Sequence, residues 1–452
     1  MQSGTFTTFD GARRRFSREQ VAGVYTAGCC VVLGTLISLR LTLMAFAVLF
    51  LLTSASFLLL RLVATLRVMA GTSTSCGSEA CVALPLVTLL CPLYKEPNSI
   101  KNLSAALQRL NYPTYLLDII FLLEADDLAT QEAARSLPSH FRILVNHGDG
   151  PKTKPNALNM GLRHARGNIV GVYDAEDRPE PEQLRKMATA FASDQRIGCV
   201  QAQLNFYNRD ETILTRMFAL EYSLHFDYML PGMVALGLPI PLGGTSNFVR
   251  RDALLTVGGW DAFNVTEDAD LGLRLSEAGY TLTTITSSTF EEATENPRSW
   301  TTQRSRWIKG FMQTWFVHTR TPLRPKTSLV LHTTLGAVVF NALAAPFFVV
   351  LFAVWVVTDL ALLNAVFGGW LKWPSTFLLI GGNGLHAWLL IMAPLRRGWF
   401  ALALSGLMLP AYWVLQSAAA YRALISFIRT PYYWAKTDHS AGEDPEREAH
   451  PA

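Results

Sequence analysis

The sequence predicts an α/β domain inserted between membrane-spanning α-helices. Three observations point there. The 452 residues are 50% hydrophobic and only 16% charged, against roughly a quarter charged in an ordinary soluble domain. The apolar excess is confined to residues 21–66 and 328–428. Between them, short apolar runs alternate with amphipathic segments in a βαβα rhythm, which argues for a mostly parallel sheet covered by helices.

At the N-terminus, residues 1–20 form a short polar segment carrying Arg13, Arg14, Arg15 and Arg18. Two apolar stretches follow, at 21–39 and 41–62, each near the roughly 20 residues of a spanning helix. They predict a transmembrane hairpin over 21–67, closed by Arg61 and Arg67. The flanking arginines place both its ends, and the middle domain, in the cytoplasm. A cleaved signal peptide is not expected, because no cleavage site separates the two stretches. Residues 68–83 are rich in Gly, Ser and Thr and read as a linker. The six cysteines form no metal-ligand or disulfide pattern.

The catalytic domain is assigned to 84–298. Strands are expected at Leu84–Cys91, Leu117–Leu123, Phe141–Val145 and Ile169–Tyr173, and helices at Ile100–Leu110, Pro155–Ala165 and Pro181–Ala192. Residues 299–327 mix aromatics with Arg304, Arg306 and Lys309, as in a helix lying in a membrane interface. About four spanning helices are expected over 328–421, near 329–346, 347–366, 376–394 and 399–420, with the first two divided at Pro346. In that layout Arg396 and Arg397 fall in an outside loop, against the positive-inside tendency. Residues 422–452 form an interfacial and cytoplasmic tail. The net charge of +4 gives no nucleic-acid signature.

Four clusters carry the chemistry. In open α/β sheets, ligands bind beyond the carboxyl ends of strands, where Glu124, Asp126 and Asp127 end one strand and Asp174, Glu176 and Asp177 another. Asp174 and Glu176, two residues apart, suit one hard cation, Mg²⁺ or Mn²⁺, bridging to a diphosphate. Taken alone, this is equally a solvated acidic turn. In Thr266-Glu267-Asp268, a carboxylate can act as general base, or Thr266 can simply cap a helix. In Gln303-Arg304-Ser305-Arg306-Trp307, Arg306 can pair with a diphosphate and Trp307 stack on a sugar, or both can anchor at the interface. Lys152 and Lys154 can neutralise phosphate at a helix start, or sit in a solvated loop.

Together and in this order, the clusters resemble the processive family 2 glycosyltransferases: the cellulose, chitin and hyaluronan synthases. The match runs through Asp126 and Asp127, Asp174-Ala175-Glu176, Thr266-Glu267-Asp268 and Gln303-x-x-Arg306-Trp307. Pro92-Leu93-Tyr94-Lys95-Glu96 is similar to the family's base-contacting loop, Lys154-Pro155-Asn156-Ala157-Leu158-Asn159 to its Lys-x-x-Asn-x-Asn segment, and Gly243-Gly244-Thr245-Ser246-Asn247 to its loop under the acceptor. Pro431-x-x-Trp434-x-Lys436-Thr437-x-His439 resembles the gating tail of a bacterial exopolysaccharide-synthase subgroup. The sequence departs from the pattern at Glu176, where the family carries Asp, and in the ambiguous register of Glu124-Ala125-Asp126-Asp127.

The resemblance implies a GT-A fold and an inverting transfer from a nucleotide sugar, expected to be a UDP-sugar, into a β-linked polysaccharide exported through the helices. It implies Asp268 as the base, and Asp174 and Glu176 as metal ligands. Donor contacts would come from Tyr94, Glu96, Glu124, Asp126, Lys154, Asp174, Glu176, Gln303 and Arg306. Acceptor contacts would come from Thr245, Ser246, Asn247, Glu267 and Trp307, with Trp434, Lys436, Thr437 and His439 as a gate. The expected partners are the donor, the growing polysaccharide and the lipid bilayer of an inner membrane; the sequence names no secretion partner. The alternative is a lipid-directed enzyme such as a ceramide glucosyltransferase.

Overall fold

The computed structural model describes residues 11–71, 82–148, 150–358 and 360–432. Trp434, Lys436, Thr437, His439 and most of the 68–83 linker lie outside those residues. Eight strands form one sheet: β1 Val87–Leu93, β2 Leu117–Glu124, β3 Arg142–Asn146, β4 Ile169–Val172, β5 Arg178–Pro179, β6 Ile197–Phe206, β7 Asn247–Arg250 and β8 Thr281–Glu291, in the order β3-β2-β1-β4-β7-β6-β8-β5.

The four strands expected from sequence pair in parallel. The other half is mixed: β7 runs antiparallel to both β4 and β6, β8 is parallel to β6, and β5 is antiparallel to β8. A mostly parallel sheet is therefore right only for the first half. The return strand β7 follows the Gly243–Ser246 loop rather than a crossover helix, so it enters the sheet reversed.

Side-chain alternation explains why the strands are apolar throughout. Leu89, Cys91, Ile119 and Phe121 join one core with Ile100, Leu103, Leu184 and Met187 of the helices Ser99–Gln108 and Gln183–Ser193. Leu90, Ile120 and Leu122 join another on the opposite face, with Leu158, Leu162 and Phe218. A strand buried on both faces keeps no polar period.

Among the described residues, four helical stretches are long and apolar enough to cross a membrane: Arg18–Met69, Pro325–Thr358, Gly369–Arg397 and Phe400–Arg429. Arg18–Met69 is broken at Ser38, which has extended backbone angles, and the Ser38 hydroxyl accepts from the Leu41 amide. Both ends of this segment reach the α/β domain side. Gln20 donates to the Phe316 carbonyl at 2.7 Å, and the backbone of Ala64 packs against Gly232. No division occurs at Pro346, which lies inside the helix Ala337–Thr358. Apolar helices tolerate proline because neighbouring groups satisfy the freed carbonyl.

Arg396 and Arg397 do not sit in a loop remote from the α/β domain. Arg397 grips Asp227 through two bonds of 2.6 Å and reaches Ser288, while Arg396 donates to the Asp227 carbonyl. The final helix, Leu409–Arg429, then lies along the helix Pro297–His318 over its whole length. Tyr412 packs against Trp300 at a tilt, Ala419, Ala420 and Ala423 pack with Ile308 and Met312, and Phe427 stacks on Phe316.

Candidate active site

The site begins where β4 ends. Tyr173 is buried, with its hydroxyl on Gln183 at 2.6 Å, so the chain emerges at Asp174 in a fixed direction. Asp177 turns back beneath it. One Asp177 oxygen accepts from the Asp174 amide at 2.7 Å and from the Thr245 hydroxyl; the other has no partner. Burial, with Asp174 and Glu176 close by, pushes its pKa well above the carboxylate range. Asp177 is thus an internal brace, which leaves Asp174 and Glu176 as the pair facing outward.

Lys154 opens the helix Lys154–His164 and swings its ammonium onto Asp174, while donating to the Gly244 carbonyl at 2.8 Å. A Cβ placed on Gly244 would sit 3.4 Å from an Asp268 oxygen and 3.7 Å from Lys154 Nζ, so carboxylate, cation and loop converge at one glycine. Burial would lower the Lys154 pKa, but Asp174, Glu267 and Asp268 around it hold it above the usual lysine value. Arg306 is held by burial slightly below its ordinary value, against the pull of Asp174, Glu267, Glu176 and Asp268. Four carboxylates and two cations therefore share one pocket.

Glu267 and Asp268 start the helix Glu267–Glu277. Burial raises both pKa values; their mutual repulsion lifts Glu267 further, while the Ala269 amide and Lys154 pull Asp268 back. A carboxylate with a raised pKa is a better proton acceptor near neutrality than an exposed one. Thr266 occupies the N-cap position, but its side chain makes no capping bond. Its hydroxyl is buried and unpartnered, pressed against Gly310, where a Cβ would come within 2.2 Å of it. Gly310 lets the Pro297–His318 helix close on the loop that leads into Glu267 and Asp268.

On that helix, Arg306 faces the carboxylates, whereas Arg304 faces away. Arg304 forms a two-point pair with Glu221 and lies over Phe218, Trp300 and Trp307, 4.6 Å from the last. The sequence singled out Arg304 only as an interface charge. Its bond to Glu221, 83 residues away, had no local signal. Gln303 Oε1 is buried without a partner.

At the donor end, Asp126 is exposed, accepting from Lys152 at 2.5 Å and from the Tyr94 hydroxyl at 3.3 Å. Asp127 is buried, capping the helix Leu128–Ala134 and holding the Lys95 amide. Of the two aspartates, Asp126 is therefore the exposed one and Asp127 the internal cap. Glu124 is buried against Asn146, and burial raises its pKa. Glu96 bonds Ser99 at 3.0 Å. Thr245, Ser246 and Asn247 are buried on Asp177, Thr289 and the Gly243 carbonyl respectively. The three side chains expected to contact the acceptor are turned inward and hold the loop.

Among the described residues, no three acidic, His or Cys side chains make a ready-made metal cage. The donor set nonetheless fits a divalent ion of the Mg²⁺ type, which takes one or two carboxylates and completes its shell with substrate phosphates and water. The Lys154 ammonium on Asp174 already marks the position as one that attracts a cation.

Residues 169–435 match the model of a family described as glycosyl transferase family group 2. A probable glycosyltransferase of Bacillus subtilis, YdaM, is 28% identical over 50% of this chain and 55% of its own. The β-monoglucosyldiacylglycerol synthase of Synechocystis is 27% identical over 81% of this chain and 78% of its own. The chain thus spans about half the length of the first relative and most of the second. A solved mannosyltransferase from Pyrobaculum calidifontis, in complex with GDP-Man and Mn²⁺, superposes with a TM-score of 0.53 at 20% identity, covering 83% of this chain and 99% of that one. This likeness gives the nucleotide-sugar transferase fold expected from the sequence.

Proposed function

Because the chain belongs to glycosyl transferase family group 2 and is a hexosyltransferase, we propose that it works at a membrane surface, passing a sugar with inversion from a nucleoside-diphosphate sugar to a hydroxyl of a lipid-borne acceptor. The observation that carries the chemistry is the convergence of Asp268, Lys154 and the Gly244 backbone. Asp268 takes the proton of the attacking hydroxyl as it displaces the diphosphate from the opposite face, so an α-linked donor yields a β-linked product. Lys154 and Arg306 hold positive charge where the leaving diphosphate gains negative charge. A divalent ion on Asp174 and Glu176 would supply Lewis acidity to that diphosphate. Tyr94, Asp126 and Lys152 line the approach on the nucleotide side.

The acceptor follows from the helices. Helix 39–69 packs with Pro325–Thr358 through Thr53 and Asn341, and with Gly369–Arg397 through Arg61 and His386. The ends of these stretches return to the α/β domain at Gln20, Ala64, Arg324 and Arg397. Two hairpins crossing a bilayer, with Pro297–His318 and Leu409–Arg429 lying on its surface, give four crossings. Four helices anchor a domain over a lipid; they leave little to enclose a polymer. The relative with the widest of the curated alignments given above makes a glycolipid.

Polymer synthesis is the second reading. It is favoured by Trp307, whose ring is backed by Arg304 beside the catalytic cluster, the arrangement a sugar-stacking platform requires. A panel of UDP- and GDP-sugars, supplied with divalent metal to the purified protein and separately with diacylglycerol, ceramide or oligosaccharide, decides between them. A labelled glycolipid of one added sugar supports the first reading; a ladder of soluble or retained chains overturns it.

A further inference from the structure

A second cleft lies at the other end of the sheet. It has a volume of about 1090 Å³ and runs along the start of β8, between the helix Gln183–Ser193 and the foot of the apolar helix that begins at Pro325. β6 and β8 run parallel from this cleft to Phe206 and Glu291, and Glu291 is the end that neighbours Asp174 and Asp177. Ten residues of strand at ~3.3 Å each put about 30 Å between the two.

Three features of the cleft fit an anion. Lys186, Arg324 and Lys326 border it, from two segments far apart in the chain. Each has only a modest anchor: Lys186 on the Thr286 carbonyl at 3.0 Å and Glu180 at 3.4 Å, Arg324 on the Ser276 carbonyl at 3.4 Å, and Lys326 on the Gly237 carbonyl at 2.9 Å. The first turn of the 34-residue helix Pro325–Thr358 also borders it, with Lys326 and Thr327 amides that no intrahelical carbonyl can satisfy. The hydroxyl of Thr327, a residue 1% exposed that lines the cleft, has no hydrogen-bond partner. A buried hydroxyl left unpaired is costly, and Thr327 stands in the wall of a space large enough to hold a partner. Asp194, the acid in the lining, is taken up by Arg196. The remaining wall is apolar, including Val234, Leu238 and Pro239.

We infer that this cleft binds a phosphate-bearing anion, held by Arg324, Lys326 and Lys186 and by the Thr327 hydroxyl. Two sources carry that chemistry: the headgroup of an acidic phospholipid, whose acyl part the apolar wall would meet, and free phosphate. None of these residues belongs to the catalytic cluster, so occupancy and transfer can be read separately.

The test uses the full-length protein in phosphatidylcholine nanodiscs, titrated calorimetrically with short-chain phosphatidylglycerol and, separately, inorganic phosphate. Binding of phosphatidylglycerol alone identifies a lipid headgroup; binding of both identifies the phosphate group as sufficient. Thr327→Val keeps the shape and removes the unpaired hydroxyl. It should weaken binding about tenfold, the scale of one hydrogen bond to a charged group, without lowering the melting temperature. The pair Arg324→Gln with Lys326→Gln should abolish binding. No binding by either probe, or unchanged affinity in both variants, overturns the assignment.

Discussion

Glu221 and Arg304 meet through two bonds of 2.9 and 2.6 Å, and the Tyr412 hydroxyl closes on the same carboxylate at 2.5 Å. One acid from the α/β domain thus joins the helix bearing Arg306 and Trp307 to the final helix. Burial alone would raise the Glu221 pKa; Arg304 and Tyr412 hold it below the usual value. Glu221→Gln leaves Arg304 charged among Phe218, Trp300 and Trp307. It should cost about 3–5 kcal/mol, the usual price of orphaning one partner of a buried pair. Thermal unfolding measures the loss, and Arg304→Lys should reproduce much of it because a lysine cannot bind in two-point fashion.

Asp268→Asn separates chemistry from donor binding. The asparagine oxygen can still accept from the Ala269 amide, as Asp268 does at 2.8 Å, so the helix start is preserved. The transfer rate should fall about 10²–10⁴-fold, while calorimetric binding of the nucleoside diphosphate stays within a few-fold of normal. A near wild-type rate would make Asp268 a structural residue and send the search for the base to Glu267.

Asp174→Asn should act on the other half of the reaction, weakening metal-dependent nucleotide binding itself. Excess chelator should do the same to the unmodified protein, with Mn²⁺ or Mg²⁺ restoring it. Full activity in chelator would remove the metal from Asp174 and Glu176.

The pH profile follows from the raised pKa of Asp268. The base works only when ionised, so kcat/KM should rise with pH through a value above the ordinary ~3.9 of aspartate. The same shift bears on stability with a fixed sign. A carboxyl whose folded pKa is raised favours the folded state most below its unfolded pKa, and that contribution is lost as pH rises through the folded value. Asp268→Asn should therefore flatten the pH dependence of the melting temperature above pH 4, and an unchanged slope would contradict the buried, uncompensated acid.

Topology is checked by cysteine labelling in intact cells. With two hairpins, an engineered cysteine at Gly398 should resist an impermeant reagent, and one at Gly368 should react. The reverse pattern would restore a six-helix layout with Arg396 and Arg397 outside.

Much of this site was legible because its residues lie at strand ends, where short acidic motifs and apolar runs coincide. Asp174, Glu176, Lys154, Asp268 and Arg306, read from four separate motifs, meet in one pocket. Less local features were not legible. Asp177 is as acidic as its neighbours in sequence, and only burial makes it a brace. Thr266 has a capping sequence, yet its hydroxyl is spent against Gly310. The antiparallel β7 and the packing of Leu409–Arg429 along Pro297–His318 depend on contacts far along the chain, such as Arg304 with Tyr412, which no window of residues contains.

The Asp227–Arg397 pair spans 170 residues, and this orders the molecule's assembly. Asp227 is 1% exposed in the finished protein, and burial raises its pKa against the pull of Arg397. During synthesis the whole α/β domain is made before the helix ending at Arg397 has been translated. Until then the carboxylate must stay hydrated or take a proton, and the helices around it cannot close. The domain therefore matures only when the segment carrying Arg397 has folded back onto it, so a chain truncated before Arg397 should be degraded rather than accumulate.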